Sequence, residues 1–221
     1  MPAYWADACR HLATKDRVMK RLIPQFADTC LPTRGDAFST LARSIVGQQI
    51  SVKAAQTVWR RFVALLPEKA EEAEKAEEIT PTQVLRLKVD DMRAAGLSLR
   101  KVEYLVDLSI HFDAGRLHVQ DWQAMSDEAI IAELIAIRGI GRWTAEMFLM
   151  FYLTRPNVLP LDDAGLINGI SRNYFSGEAV SRSDAREVAA AWMPYCSVAT
   201  WYIWRSLDPL PVAVSSGLKF S

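Results

Sequence analysis

Two adjacent carboxylates, Asp162 and Asp163, follow a proline in the run Pro160-Leu161-Asp162-Asp163-Ala164-Gly165-Leu166. The residues after them read as a helix, and one aspartate is enough to cap its first turn. The second is left over at a helix start, where the helix dipole favours an ionised carboxylate. A carboxylate held there can stabilise a developing cation or orient a water molecule. Upstream lies Arg138-Gly139-Ile140-Gly141, between two apolar helical patterns. Two glycines permit positive φ and let another backbone approach closely. A helix starting directly after them offers unpaired N–H groups and a positive dipole end, which suit a phosphate. Ile140, between the glycines, reads as a plug into the core. Taken alone, this spacing reads first as an ordinary tight helix–helix connection.

The elements that position these residues read as helices nearly throughout. Residues 36–47 place Phe38, Leu41, Ile45 and Val46 at helical spacing behind Asp36 as N-cap. Residues 51–66 open on Ser51 and carry Val52, Ala55, Val58, Trp59, Phe62 and Leu66 on one side. Two short helices are expected in 81–95, ending at Gly96. Amphipathic helices follow at 99–112 and at 126–136, the latter behind Ser126. A strongly apolar helix spans 142–153, and helices resume at about 163–173, 183–193 and 196–206. No alternating run is long enough for a convincing strand. The fold class is all-α, an orthogonal array of roughly ten helices.

The totals bound the function. The 221 residues, half of them hydrophobic, suit one domain of two lobes with a sizeable core. Formal net charge is zero, which argues against a nucleic-acid binder. Its distribution softens the point: residues 68–78 carry six Glu and two Lys, a local net of −4, and leave +4 for the remainder. That run reads as a solvated helix or loop. Cys9, Cys30 and Cys196 have no short spacing, and His11, His111 and His118 form no ligand cluster. Neither zinc nor an iron–sulfur cluster is expected. Sparse, odd cysteines fit a reducing cytosol. No signal pattern opens the chain and no apolar run reaches membrane-spanning length, so no membrane association is expected. The Pro/Ser-rich tail from Asp208 reads as irregular.

The stretch LIAIRGIGRWTAEM followed by VLPLDD resembles the helix-hairpin-helix and following aspartate of base-excision DNA glycosylases. LARSIVGQQISVKAA (41–55), AAGLSLRKVEYL (94–105) and WMPYCSVATWYIWR (192–205) resemble the alkylbase branch, of the DNA-3-methyladenine glycosylase II type. The parts occur in family order over roughly residues 30–207. The resemblance implies two α-helical lobes, about 40–155 and the N-terminal segment with 156–207, and an active-site cleft between them. It implies monofunctional hydrolysis of the N-glycosidic bond of alkylated purines, such as N3-methyladenine or N7-methylguanine, in damaged double-stranded DNA.

An ungapped run from the hairpin makes Asp163 the catalytic carboxylate. Counting from the proline alone selects Asp162, otherwise a capping or supporting residue. Bifunctional members carry a lysine where this chain has Trp143, and tryptophan cannot form a Schiff base. The resemblance places Trp143, Trp204 and Gln48 in or near the base pocket, with Tyr152 and Trp201 as weaker candidates. Seven Trp and six Tyr make an electron-rich pocket for a cationic base available, although Trp143 and Trp204 also read as core. Gln49 matches the wedge that fills the gap left by the flipped base, with Ile50 beside it. A glutamine wedge is a departure from relatives that use leucine there. Gly139 and Gly141 would grip phosphate through backbone amides, with Arg142, Lys53, Lys101 and Arg100 as side-chain candidates. Hairpin carbonyls near Arg138 and Ile140 are candidate ligands of a structural Na or K ion, and no cofactor is required. The expected state is a monomer, in the cytoplasm (at the nucleoid) of a bacterium or the nucleus of a eukaryote. The competing readings are a non-catalytic helix-hairpin-helix DNA-binding module and a generic helical interaction protein.

Overall fold

The structure is a computed structural model that describes residues 1–26, 30–31, 35–66 and 79–208. The Glu-rich run 68–78 and the tail beyond Asp208 lie outside the described residues. Within them are twelve α-helices: α1 (Trp5–Lys15), α2 (Arg17–Leu22), α3 (Ala37–Gly47), α4 (Val52–Val63), α5 (Pro81–Leu85), α6 (Val89–Ala94), α7 (Leu99–Asp113), α8 (Asp127–Ile135), α9 (Arg142–Phe151), α10 (Ala164–Tyr174), α11 (Arg182–Ala189) and α12 (Cys196–Arg205). Short 3-10 turns cover Ile23–Phe26 and Ala190–Trp192. No described residue is in a strand. The fold is all-α, with more helices than the roughly ten expected because two of them precede Asp36.

Contacts group the chain into two compact units, Met1–Leu31 with Arg155–Ser221, and Pro32–Thr154. In the first unit, α12 packs on α1, α2 and α10. The apolar stripe of α1 is Trp5, Ala8 and Leu12, at helical spacing and all buried. A buried carboxylate ties this unit together. Asp16 Oδ1 caps α2, accepting from Val18 N at 2.7 Å and Met19 N at 3.0 Å. Its Oδ2 accepts from Tyr174 Oη at 2.7 Å and Trp192 Nε1 at 3.1 Å. Burial, together with the neighbouring Asp16 charge, pushes the Tyr174 phenol well above its usual range. A buried charge is tolerable only with such partners.

In the second unit, α7 is the hub, packed on α3, α5 and α6, while α3 also meets α4 and α9. The N-caps read from the sequence are in place: Asp36, Ser51 and Ser126 each accept a backbone N–H from the first turn of α3, α4 and α8. Aromatic edges fill the centre, with Phe112, Trp122 and Phe148 meeting in T-shaped pairs at 6.4 and 5.3 Å.

Candidate active site

Asp163 is the N-cap of α10. Its Oδ1 accepts the Leu166 N–H at 2.6 Å and the Trp204 Nε1–H at 2.8 Å. The carboxylate is therefore fixed by its own helix and by α12. Two glycines of α10 make the approach of α12 close. A Cβ on Gly165 would sit 3.1 Å from Asp163 Oδ1 and 3.3 Å from the Trp204 ring, and a Cβ on Gly169 would sit 2.3 Å from Ile203 Cγ2. A side chain at either position would push against α12 and the indole it presents. Asp163 and Trp204 are both half-buried, so the pair is held yet reachable.

The capping role considered for Asp162 belongs to Asp163. Asp162 is exposed and ion-paired to Arg182, at the start of α11. Only the residue with extended backbone directly before the helix can aim its side chain at the first-turn N–H groups, and that residue is Asp163 (φ −80, ψ 113). Trp201, one turn before Trp204, has the Arg205 guanidinium 4.7 Å over its ring and a buried indole nitrogen without a hydrogen-bond partner.

In the second unit, α8 leads into the turn at Gly139-Ile140-Gly141 and α9 begins at Arg142. Gly139 takes φ +87, and a Cβ there would lie 2.2 Å from the Tyr104 ring of α7. Both sterics and backbone demand glycine. Gly141 differs: its φ of −95 is open to any residue, and nothing lies within 4 Å of the position its Cβ would take. It is the N-cap of α9, which receives no side-chain cap. Ile140 is buried, as its place between the glycines predicts. The turn is pinned to α7 a second time by Arg138, whose N–H donates to Asp107 Oδ2 at 2.8 Å.

Two of the cationic candidates have partners within the protein. The Arg142 guanidinium is held by carboxylates, with Nε 3.0 Å from Glu146 Oε1 and Nη1 3.0 Å from Glu128 Oε2. The Glu128 hydrogen bond raises its pKa further. Its charge is paired with carboxylates of α8 and α9. Lys101 Nζ donates to the Val46 carbonyl at 2.7 Å, near the C-terminus of α3, and desolvation lowers its pKa. That cation serves a helix end. Lys53 and Arg100 are exposed in the first turns of α4 and α7.

The segment between α3 and α4 carries the wedge candidates. Gln49 and Ile50 are exposed, and Gln49 holds a left-handed φ of +58. For a non-glycine residue this costs on the order of 1 kcal/mol. Gln48 is half-buried, and its Nε2 donates to the Gly139 carbonyl at 2.8 Å. Tyr152 stacks on Phe148, ring centroids 4.7 Å apart, and burial raises its phenol pKa. Tyr152 is half-buried, with one face of its ring taken by Phe148. Trp143, by contrast, is 46% exposed on the first turn of α9 and is not core packing. Met147 is half-exposed one turn further along α9. The sequence reading missed Gly165, Tyr104 and Asp107, because each matters through a contact between segments distant in the chain.

No helix among the described residues is long and apolar enough to cross a membrane. Nor do they hold a group of three His, Cys, Asp or Glu residues able to bind a metal ion.

A two-glycine turn opening an uncapped helix, together with an acid fixed at a later helix start, defines a helix-hairpin-helix protein equipped for chemistry. The family model of the HhH-GPD superfamily base excision DNA repair proteins matches residues 42–194, and the chain belongs to that superfamily. YfjP of Bacillus subtilis strain 168 is 33% identical over 190 residues, 86% of this chain; the chain spans 66% of that protein's length. The crystal structure of a DNA-3-methyladenine glycosidase from Bacillus halodurans superposes with a TM-score of 0.76 at 34% identity, covering 89% of this chain and 88% of that one. Schizosaccharomyces pombe 3-methyladenine DNA glycosylase (Mag1), in complex with abasic DNA, superposes with a TM-score of 0.74 at 26% identity, covering 90% and 96%.

Proposed function

We propose that this chain is a monofunctional DNA glycosylase that hydrolyses the N-glycosidic bond of alkylated purines in damaged duplex DNA, acting as a monomer in base excision repair. The observation that carries the reading is the Asp163 carboxylate, fixed by Leu166 N and Trp204 Nε1 at the start of α10. The names of the Bacillus halodurans and Schizosaccharomyces pombe relatives support the substrate class.

The chemistry follows from charge. Breaking the glycosidic bond builds positive charge on the sugar. A carboxylate at about 4 Å, in an effective dielectric near 20, offers roughly 4 kcal/mol of attraction, which is about a thousandfold in rate. Asp163 also serves to orient or deprotonate the attacking water. A purine methylated at N3 or N7 is already cationic and leaves without much acid assistance. It needs flat, electron-rich surfaces, for which Trp204 and the exposed Trp143 are the candidates. Trp143 stands in place of the lysine of bifunctional enzymes, so no amine at that position attacks the sugar and the product is an intact abasic strand.

Phosphate is gripped by the first-turn amides of α9, where Gly141 leaves open space for the DNA backbone. Lys53 and Arg100 supply exposed positive charge. The neutral oxygens of the Arg138 and Ile140 carbonyls suit a monovalent Na or K ion better than a transition metal, and an ion there would add positive charge beside the phosphate. The Gly139 carbonyl accepts the Gln48 amide.

The test is release of bases from methylated duplex DNA by the purified chain without added divalent metal, with Asp163→Asn in parallel. Release of methylpurines by wild type alone, leaving an alkali-labile but unbroken strand and no borohydride-trapped adduct, is the expected result. Intact DNA binding with no release from any of a panel of damaged bases would favour a non-catalytic hairpin module.

A further inference from the structure

Gln49 and Ile50 project from the segment between α3 and α4 with a left-handed backbone at Gln49. An exposed, strained tip holds one conformation only when its surroundings over-determine it. Two contacts hold the chain leading into this tip. Three residues before Gln49, Lys101 Nζ holds the Val46 carbonyl at 2.7 Å. Immediately before Gln49, Gln48 Nε2 holds the Gly139 carbonyl at 2.8 Å. Gly139 itself lies so close to Tyr104 that a Cβ would reach 2.2 Å from the ring. Lys101 and Tyr104 are one turn apart on α7, and Asp107, a further turn along, takes the Arg138 N–H at 2.8 Å. One helix therefore braces both the wedge segment and the hairpin, and Gln48 joins the two directly.

We propose that Gln48 is a positioning residue that latches the Gln49–Ile50 wedge to the phosphate-gripping hairpin, making groove insertion and backbone grip one rigid surface. This rests on the reading of Gln49–Ile50 as a DNA wedge given above. With the latch closed, the grip at Gly139–Gly141 fixes where the wedge enters the duplex. Without it, phosphate contact persists and the wedge is no longer held in register with it. Gln48 thus acts on selection of the gapped or flipped state, not on affinity for duplex DNA in general. The amide donor matters, not bulk, since the Gly139 carbonyl can only accept.

The experiment compares wild type, Gln48→Met (similar length, no donor) and Gln48→Glu (an acceptor facing an acceptor) as full-length protein. Affinity is measured for a duplex with a tetrahydrofuran abasic site and for the matched intact duplex, over a salt series, with 2-aminopurine opposite the gap reporting wedge insertion. Both variants are expected to lose about tenfold of the abasic-over-intact preference, a loss on the scale of one hydrogen bond, together with the 2-aminopurine signal. The salt slope on intact duplex stays that of wild type, because the phosphate contacts remain. Amide exchange at 47–51 in the free protein rises in parallel. A folded Gln48→Met whose abasic preference stays within twofold of wild type overturns the latch. Wild type without any abasic preference overturns the wedge reading itself, a failure visible before any variant is compared.

Discussion

The Trp204 indole donates its Nε1–H to Asp163 Oδ1 at 2.8 Å, sharing that oxygen with the Leu166 N–H at 2.6 Å. A side chain expected as a stacking surface for the base is thus also a support for the acid. Replacing it with phenylalanine separates the two roles. Trp204→Phe keeps an aromatic face and removes the donor. A hydrogen bond to a charged group contributes about 1.5–3 kcal/mol. Single-turnover excision is expected to fall by about tenfold or more, with affinity for abasic duplex close to wild type. An unchanged rate would leave stacking as the sole role of Trp204.

Asp163→Asn should remove excision by about a thousandfold or more while leaving the melting temperature nearly unchanged, because asparagine caps helices as well as aspartate does. Asp162→Asn should retain activity, since that residue is exposed and its Arg182 ion pair is a surface contact. Rates and thermal melts of both variants together decide the register. Full activity in Asp163→Asn with loss in Asp162→Asn would move the assignment by one residue.

The two hairpin glycines should respond differently. Gly139→Ala forces a side chain onto Tyr104 and strains a φ of +87. A stability loss of about 3 kcal/mol is expected in denaturant titrations. Gly141→Ala meets neither obstacle, so its stability should stay within about 0.5 kcal/mol of wild type. With DNA backbone approaching its open face, duplex affinity falls in Gly141→Ala without a matching loss of stability.

His118 gives a pH signature unrelated to catalysis. Its Nδ1 lies 2.5 Å from Glu133 Oε1, and that hydrogen bond raises the imidazole pKa above its ordinary 6.5. A raised folded-state pKa contributes stability that is fully present below the unfolded value and lost as pH rises through the folded one. Melting temperature should therefore decline more from pH 6 upward in wild type than in His118→Gln. Identical pH profiles for the two would show that the contact contributes nothing to stability.

What the sequence determined by itself was largely local. Asp36, Ser51 and Ser126 cap the helices they precede because a cap needs only a short side chain and the next few amides. The apolar periodicities of α3, α7 and α9, the buried Ile140 between its glycines, and the acid at the start of α10 are legible for the same reason. Tertiary structure decided the roles that depend on partners far along the chain. Arg142 and Lys101 look alike in sequence as groove-facing cations, yet one is neutralised by Glu128 and Glu146 and the other braces the end of α3. Gln48 reads as a polar loop residue until the Gly139 carbonyl lies 2.8 Å away. Gly165 and Gly169 are simply small residues until α12 packs against them. A charge or an amide carries no record in sequence of the group it will meet. That is fixed only when distant helices pack and desolvated polar atoms must find partners.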